Sequence, residues 1–363
     1  VTGQAWEQAD QERFRSDLQA AIDDFLDEQA TRLAPLGDDA ARLVAEGRVS
    51  VTGGKRFRAA FCYWGFRAAS SSSYDERAVL RATASLELLH ASALVHDDLM
   101  DASDTRRGRP ATHRGFADLH QQQGWPGDPE QYGAAAAILL GDLLLSWSDE
   151  LLRRCGLGWD RVGPALDVLD QCRSEVIAGQ FLDVSVQGRG VASVDQAMTV
   201  LRYKSAKYSI ERPLHVGAAL AGAGTDTLTA LTGFGLPLGE AFQLRDDLLG
   251  VFGDPATTGK PAGDDLVEGK RTVLVALALE SAADDEAARL DAALGTALGP
   301  DDVADLRGII DRSGAHARVE AKITELAEQA VTALGLARAS AGLDEHACDV
   351  LEGLAAAATR RVL

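Results

Sequence analysis

The sequence predicts an all-α protein, and three observations carry that prediction. No glycine or proline interrupts residues 66–107, so nothing in that stretch breaks a helix. Alanine- and leucine-rich segments recur along the chain, and Leu86, Leu89, Ala93 and Asp97 follow the three-or-four spacing of one helix face. Alternating runs of β-branched residues are scarce, which leaves little material for a sheet.

Taken in order, the first strong helical segment covers 78–101 and is dominated by Ala, Leu and Val. Similar segments follow at 134–154, 163–186, 195–211, 238–252, 270–294 and 317–338. The breaks at 70–73, 121–128 and 254–263 are rich in Ser, Gly or Pro and read as loops. None is long enough to tether separate bodies flexibly, and no short repeat period suggests a solenoid. At 363 residues the chain exceeds twice a typical ~150-residue domain. With no linker to divide it, the expectation is one large helical-bundle domain over 1–363. Its motifs lie between about 50 and 275, and residues 280–363 are expected to close the bundle or a dimer.

Composition narrows the function classes. Thirty-six Lys+Arg against 55 Asp+Glu give a net charge of −19. That disfavours nucleic acid, which calls for a basic footprint, and docking on anionic lipid through a polybasic surface. Cys62, Cys155, Cys172 and Cys348 are far apart with no CxxC pair, so neither a disulfide framework nor a zinc site is expected. The strongest apolar run, 132–147, is short and carries Asp142, whereas a membrane span needs about 20 apolar residues. The N-terminal residues lack the basic and apolar regions of a signal peptide. The expected compartment is therefore a reducing cytoplasm.

Two acidic clusters carry the chemistry. His96-Asp97-Asp98-Leu99-Met100-Asp101 closes the first long helix, and Asp97 and Asp101 share one face about 6 Å apart along the axis. Carboxylates at a helix end where the backbone dipole is already negative are unfavourable unless a cation compensates. Magnesium suits such a place, being held by one or two carboxylates plus substrate phosphates. Thr105-Arg106-Arg107-Gly108-Arg109-Pro110 follows and offers guanidinium forks to a phosphate. The second cluster, Phe242-Gln243-Leu244-Arg245-Asp246-Asp247-Leu248-Leu249-Gly250, is again followed by glycines and lysines, among them Lys260 and Lys270. Two such constellations suggest two helices facing each other across one cavity, as in helical-bundle sites. A third group, Gly53-Gly54-Lys55-Arg56-Phe57-Arg58, sets Lys55 and Arg58 on one face for a second anion.

In this order and spacing, these motifs, together with Gly179-Gln180-x-x-Asp183, Lys204-Ser205 and Glu268-Gly269-Lys270, resemble the trans-isoprenyl diphosphate synthases. The resemblance implies an all-α bundle around a central cavity, a homodimer, and three Mg2+ ions. It gives Asp97 and Asp101 two of those ions and Asp246 the third, with Asp98 and Asp247 in support. It assigns Arg106, Lys204 and Lys260 to an allylic diphosphate, with Lys270 nearby among the substrate-binding residues, and Lys55, Arg58, His90 and Arg107 to isopentenyl diphosphate. Gln243, Lys204 and Ser205 line the reacting carbons. One residue departs from the family pattern: Gly250 stands where a third Asp usually ends the second acidic motif.

Product length is expected to be set below Asp97, where Ser92 and Ala93 are small and Leu89 and Leu86 follow. One isoprene unit spans roughly one helical turn, ~5.4 Å, so small residues followed by leucines permit at least one unit beyond farnesyl. Geranylgeranyl diphosphate is the expected product, with a longer polyprenyl or a farnesyl product as the alternative. A terpene cyclase would share the fold and the first cluster. Its second metal motif has only a partial imitation here, Asp142, Ser146 and Glu150, too soon after Asp97 for an opposite wall. A non-catalytic partner subunit is the remaining alternative, although such subunits usually lose the aspartates that this chain keeps.

Overall fold

The structure, a computed structural model, describes residues 6–191, 193–254 and 263–359. Helices follow one another as α1 Gln8–Leu33, α2 Asp38–Ser50, α3 Phe57–Ala69 and α4 Glu76–Met100. A small hairpin, β1 Thr105–Arg106 and β2 Arg109–Pro110, precedes α5 Thr112–Gln122, α6 Pro129–Arg153 and α7 Trp159–Arg189. Helix α8 Val194–Val200 runs into a π-helical segment, Leu201–Glu211, and on into α9 Arg212–Leu220. Then come α10 Thr225–Phe252, α11 Asp264–Val267, α12 Val273–Ser281 and α13 Asp284–Ala293. The described chain closes with α14 Pro300–Arg312, α15 Ala315–Ala341 and α16 Glu345–Thr359.

Helix starts follow local chemistry. The Asp75 side chain accepts from the Arg77 and Ala78 amides at the head of α4. Asp128 does the same for Glu130 ahead of Pro129, and Ser193 and Gln196 close a capping box on α8. Each satisfies amides that a helix leaves unpaired at its first turn.

Two compact units emerge. One comprises Trp6–Tyr63 and Ser71–Leu166 and is termed the α4 unit; the other comprises Trp64–Ser70 and the described chain from Asp167 on, the α10 unit. In the α4 unit, Leu18, Ile22, Phe25 and Leu26 of α1 are fully buried, as are Leu88 of α4 and Leu140, Leu144, Leu151 and Leu152 of α6. In the α10 unit, Leu244, Leu248 and Val251 of α10 join Leu274 and Val275 of α12 and Val319, Ile323 and Leu326 of α15 in one core.

Four differences from the sequence reading have physical reasons. Helix α10 begins at Thr225, well before 238, and runs through Gly233, Gly235 and Pro237. The glycines that resemble breakers lie in a helix that packs tightly on its neighbours. The segment expected at 270–294 is two helices, parted by the extended Ala282 and Ala283. The hairpin escapes notice because two-residue strands carry no periodicity. Finally, α4 is long and apolar enough to cross a membrane, a property the sequence reading gave to no segment. Its most apolar window is 72% buried inside the protein, so core packing accounts for that apolarity.

Candidate active site

The acidic end of α4 sorts its three aspartates by face. Asp97 and Asp101 are half-buried, and the Asp101 amide donates to the Asp97 carbonyl at 2.8 Å. Asp98 is turned inward at 3% exposure and receives Arg106 in a two-pronged grip, Nε lying 2.9 Å from Oδ1 and 3.1 Å from Oδ2. Arg106 Nη2 also donates to Oδ1. Such a fork-to-carboxylate pair fixes orientation as well as charge. Asp98 therefore holds Arg106 while Asp97 and Asp101 keep their own face.

The hairpin aims the next arginine. Arg106 pairs with Arg109 across the strands, and Arg107 (φ 53°) and Gly108 (φ 74°) form the two-residue loop between them. Positive φ at both positions is the signature of a type I′ turn, which matches strand twist and favours glycine second. Arg107 is kept in that conformation by Nη1 donating to the Thr52 carbonyl at 2.6 Å. The Gly53–Arg58 turn and the hairpin are thereby joined. Within that turn lies Arg56, unassigned by the sequence reading. It is buried at φ 56°, and its guanidinium bonds Glu87 at 2.6 Å and the Val51 carbonyl at 2.7 Å. Lys55 is exposed beside it, and Arg58 is half-buried in the first turn of α3. His90 is held well below the usual histidine range by burial first, then by Arg58, Arg107, Arg106 and Arg56. The imidazole is therefore neutral near pH 7, a hydrogen-bonding group among guanidinium cations.

Further along the same unit, His96 Nε2 lies 3.2 Å from the Ile138 carbonyl of α6. The ring occupies the space of a missing side chain: a Cβ on Gly141 would stand 2.1 Å from that nitrogen. Sequence reading missed this docking of Asp97's neighbour, since its two halves are 45 residues apart. Of the expected chain-length residues, Ala93 is half-buried like Asp97, whereas Ser92 and Leu89 are each 3% exposed and lie in the core. The partial cyclase imitation is otherwise engaged. Ser146 donates to its own helix at the Asp142 carbonyl, and Glu150 pairs with Arg32 and Arg154 at 2.9 and 2.7 Å.

In the α10 unit, the π segment brings Lys204 to Asp183 of α7 at 2.6 Å. A Cβ on Gly179 would stand 2.4 Å from the Lys204 amide nitrogen, and one on Gly239 of α10 2.4 Å from the Ala206 carbonyl oxygen. The widened segment thus lies against glycines of two helices, and π geometry of this kind recurs at functional sites. Ser205 is half-buried on it, and Gln180 is half-buried on α7.

On α10, Asp246 is half-buried and Asp247 buried. Gln243, expected at the reacting carbons, donates from Nε2 to Asp247 Oδ1 at 2.8 Å. Burial pushes the Asp247 carboxyl up to about 8 against that hydrogen bond, with Asp265 and Asp246 adding to the rise and Lys270 opposing it. Arg245, which the sequence reading left without a role, clamps the helix. It bonds both oxygens of Glu320 on α15 at 2.6 and 2.7 Å and the Thr359 carbonyl at 3.1 Å. Lys270 pairs with Glu268 and lies 3.4 Å from Asp265. Lys260 lies outside the described residues.

Paired carboxylates near the end of α4 and in the last turns of α10, with arginines and lysines beside them, make a set of groups suited to a hard cation and phosphorylated ligands. The polyprenyl synthetase family model matches residues 43–311, and the chain belongs to that family, one of trans-prenyltransferases. Geranylfarnesyl diphosphate synthase of Natronomonas pharaonis is 36% identical over 212 residues, 58% of this chain and 57% of that protein. The chain thus spans little more than half the length of that relative. Geranylfarnesyl diphosphate synthase of Aeropyrum pernix is 33% identical over 281 residues, 77% of this chain and 82% of that one. Among solved structures, geranylgeranyl pyrophosphate synthase from Corynebacterium glutamicum, complexed with isoprenyl diphosphate and magnesium, superposes with a TM-score of 0.93 at 40% identity. The superposition covers 97% of this chain and all of that one.

Proposed function

We propose that the protein condenses isopentenyl diphosphate head-to-tail with an allylic diphosphate, with Mg2+ as its ion and geranylgeranyl diphosphate as its main product. The observation that carries this reading is the end of α4. There Asp97 and Asp101 share a half-buried face beside Arg106, whose charge Asp98 already holds in place.

The donor set fits the ion. All the candidate ligands are carboxylate oxygens, the chemistry magnesium prefers. Among the described residues no three His, Cys, Asp or Glu side chains converge. One or two carboxylates would then serve each ion, with diphosphate oxygens completing the shell. Asp97, Asp101 and Asp246 would hold three ions, which would supply Lewis-acid stabilisation of the departing diphosphate.

The chain's own groups do the rest. Arg106, Lys204, Lys260 and Lys270 would bind the allylic diphosphate and stabilise the charge that grows as its C–O bond breaks. Lys55, Arg58, Arg107 and the neutral His90 would hold isopentenyl diphosphate, whose double bond attacks the allylic cation. A new C–C bond forms, and a proton then leaves, with the released diphosphate as its acceptor. Holding both substrates in register supplies much of the acceleration. Ala93, sharing the half-buried face of Asp97, would border the growing prenyl tail. Two copies of the chain are proposed to pair, and the exposed Ile138 and Leu139 of α6 suit an apolar interface.

The test is turnover of the full chain with Mg2+, isopentenyl diphosphate and an allylic primer, read by mass spectrometry. Elongated diphosphates are expected. Hydrocarbon products would mean a cyclase, and no turnover a binding subunit. Ala93→Phe should shorten the product, and an unchanged chain length would overturn the placing of Ala93 at the tail.

A further inference from the structure

Gly250 has no backbone reason to be glycine. It lies inside α10 with a negative φ, where glycine weakens a helix relative to alanine. Its reason is space. A Cβ built there would stand 1.9 Å from Asp265 Oδ2 and 2.4 Å from Asp265 Cγ, distances no side chain could share. The Asp265 carboxylate fills the volume in which a side chain at 250 would begin.

That volume has a meaning set by the first cluster. Position 250 is one turn beyond Asp246, as Asp101 is one turn beyond Asp97. On α4 the second carboxylate of the pair belongs to the same helix. On α10 the matching position is empty of side chain, and a carboxylate arrives there from α11 instead. Asp265 is held to this place from both sides. Leu266 beside it is fully buried and donates its amide to the Gly263 carbonyl at 2.9 Å, and the Lys270 amide donates to the Asp265 carbonyl at 3.0 Å. The side chain itself is little exposed, with Lys270 Nζ 3.4 Å from Oδ1. That ammonium also pairs with Glu268. Asp246 and Asp265 both push up the Asp247 carboxyl while Lys270 opposes the rise, so a carboxylate from α11 adds its charge to the pair on α10, a charge that a divalent cation would offset.

We propose that Asp265 is a magnesium-positioning residue of the α10 cluster. It supplies from a second segment the carboxylate that residue 250 lacks, and Gly250 is glycine so that it can. The inference rests on the functional reading above.

The test separates a role toward the ion from a role in folding. Mn2+ binding would be titrated by electron paramagnetic resonance in the presence of methylenediphosphonate, a diphosphate mimic that cannot ionise. The proteins would be wild type, Asp265→Asn and the paired Gly250→Asp/Asp265→Gly, each held well below its own melting temperature. Asp265→Asn keeps the shape of the side chain and should melt close to wild type. Its Mn2+ affinity should fall about 10- to 100-fold, the usual cost of losing a supporting carboxylate. The paired variant moves the carboxylate back onto α10 and should recover most of that affinity. An Asp265→Asn variant that binds Mn2+ as tightly as wild type overturns the inference and leaves the functional reading standing. A wild-type chain that neither binds Mn2+ with the mimic nor elongates prenyl diphosphates overturns both.

Discussion

The two acidic clusters gather carboxylates beside cationic side chains by opposite constructions. The α4 cluster draws Asp97, Asp98 and Asp101 from one helix end and divides their work by face, with Asp98 inward on Arg106 and the other two on a more open side. The α10 cluster sits inside a longer helix whose orientation is clamped by Arg245 on Glu320 and the Thr359 carbonyl. It crowds Asp246 and Asp247 with a carboxylate from α11. A single-helix cluster is fixed by helix geometry alone. A two-segment cluster depends on tertiary packing to bring its parts together.

The largest test of that contrast removes one proposed ligand from each. Asp97→Asn takes away a carboxylate whose neighbour Asp101 is the remaining member of its face. It should lower kcat/KM by about three orders of magnitude, roughly 4 kcal/mol of transition-state stabilisation. Asp246→Asn leaves Asp265 nearby and should cost about one order less. Steady-state kinetics over a Mg2+ series reads both. Equal losses would break the distinction between the clusters.

The next test concerns the inward aspartates. Asp98→Ala strips Arg106 of its buried partner and should destabilise the fold by about 3 kcal/mol, since an ion left without its mate keeps its desolvation cost. Asp247 is different: its carboxyl is already pushed up to about 8 by burial. Asp247→Asn therefore resembles the protonated form and should leave thermal stability near wild type at pH 7. Melting curves in the absence of divalent cations distinguish the two, and similar melting shifts would show that both aspartates are structural pins.

What could be read in the sequence follows the same division. Asp97, Asp101 and Asp246 stand out because helical spacing is local, and the Arg106–Arg107 run lies within ten residues of the first two. The all-α class is legible for the same reason, through apolar spacing over short windows. What escaped was assembled across distance. His96 needs Gly141, Arg245 needs Glu320, and Gly250 needs Asp265. None of these pairs has a spacing rule, because each is set by where two elements happen to pack. The helical run from Thr225 to 237 was hidden by its glycines. Two residues later, Gly239 shows the reason for such a composition, with the π segment's backbone where a side chain would stand. Gly250 was read as a departure from the second cluster, a feature that the sequence showed without its explanation.

The smallest effect comes from within the hairpin and sharpens the account of the α4 cluster. Arg106 and Arg109 face each other in register across β1 and β2, so strand pairing treats them alike. Their partners differ. Arg106 grips an aspartate that is 3% exposed. Arg109 reaches Glu46 only at 3.7 Å, with its own side chain 52% exposed. Water screens a pair of that kind, and exposed ion pairs are worth about 0.2–1 kcal/mol at most. Arg109→Ala should therefore shift stability by less than about 0.5 kcal/mol and leave turnover near wild type. A melting curve and one kinetic series decide it. A large loss on either would mean that the hairpin's rigidity, and not the buried Asp98 anchor, is what aims Arg106.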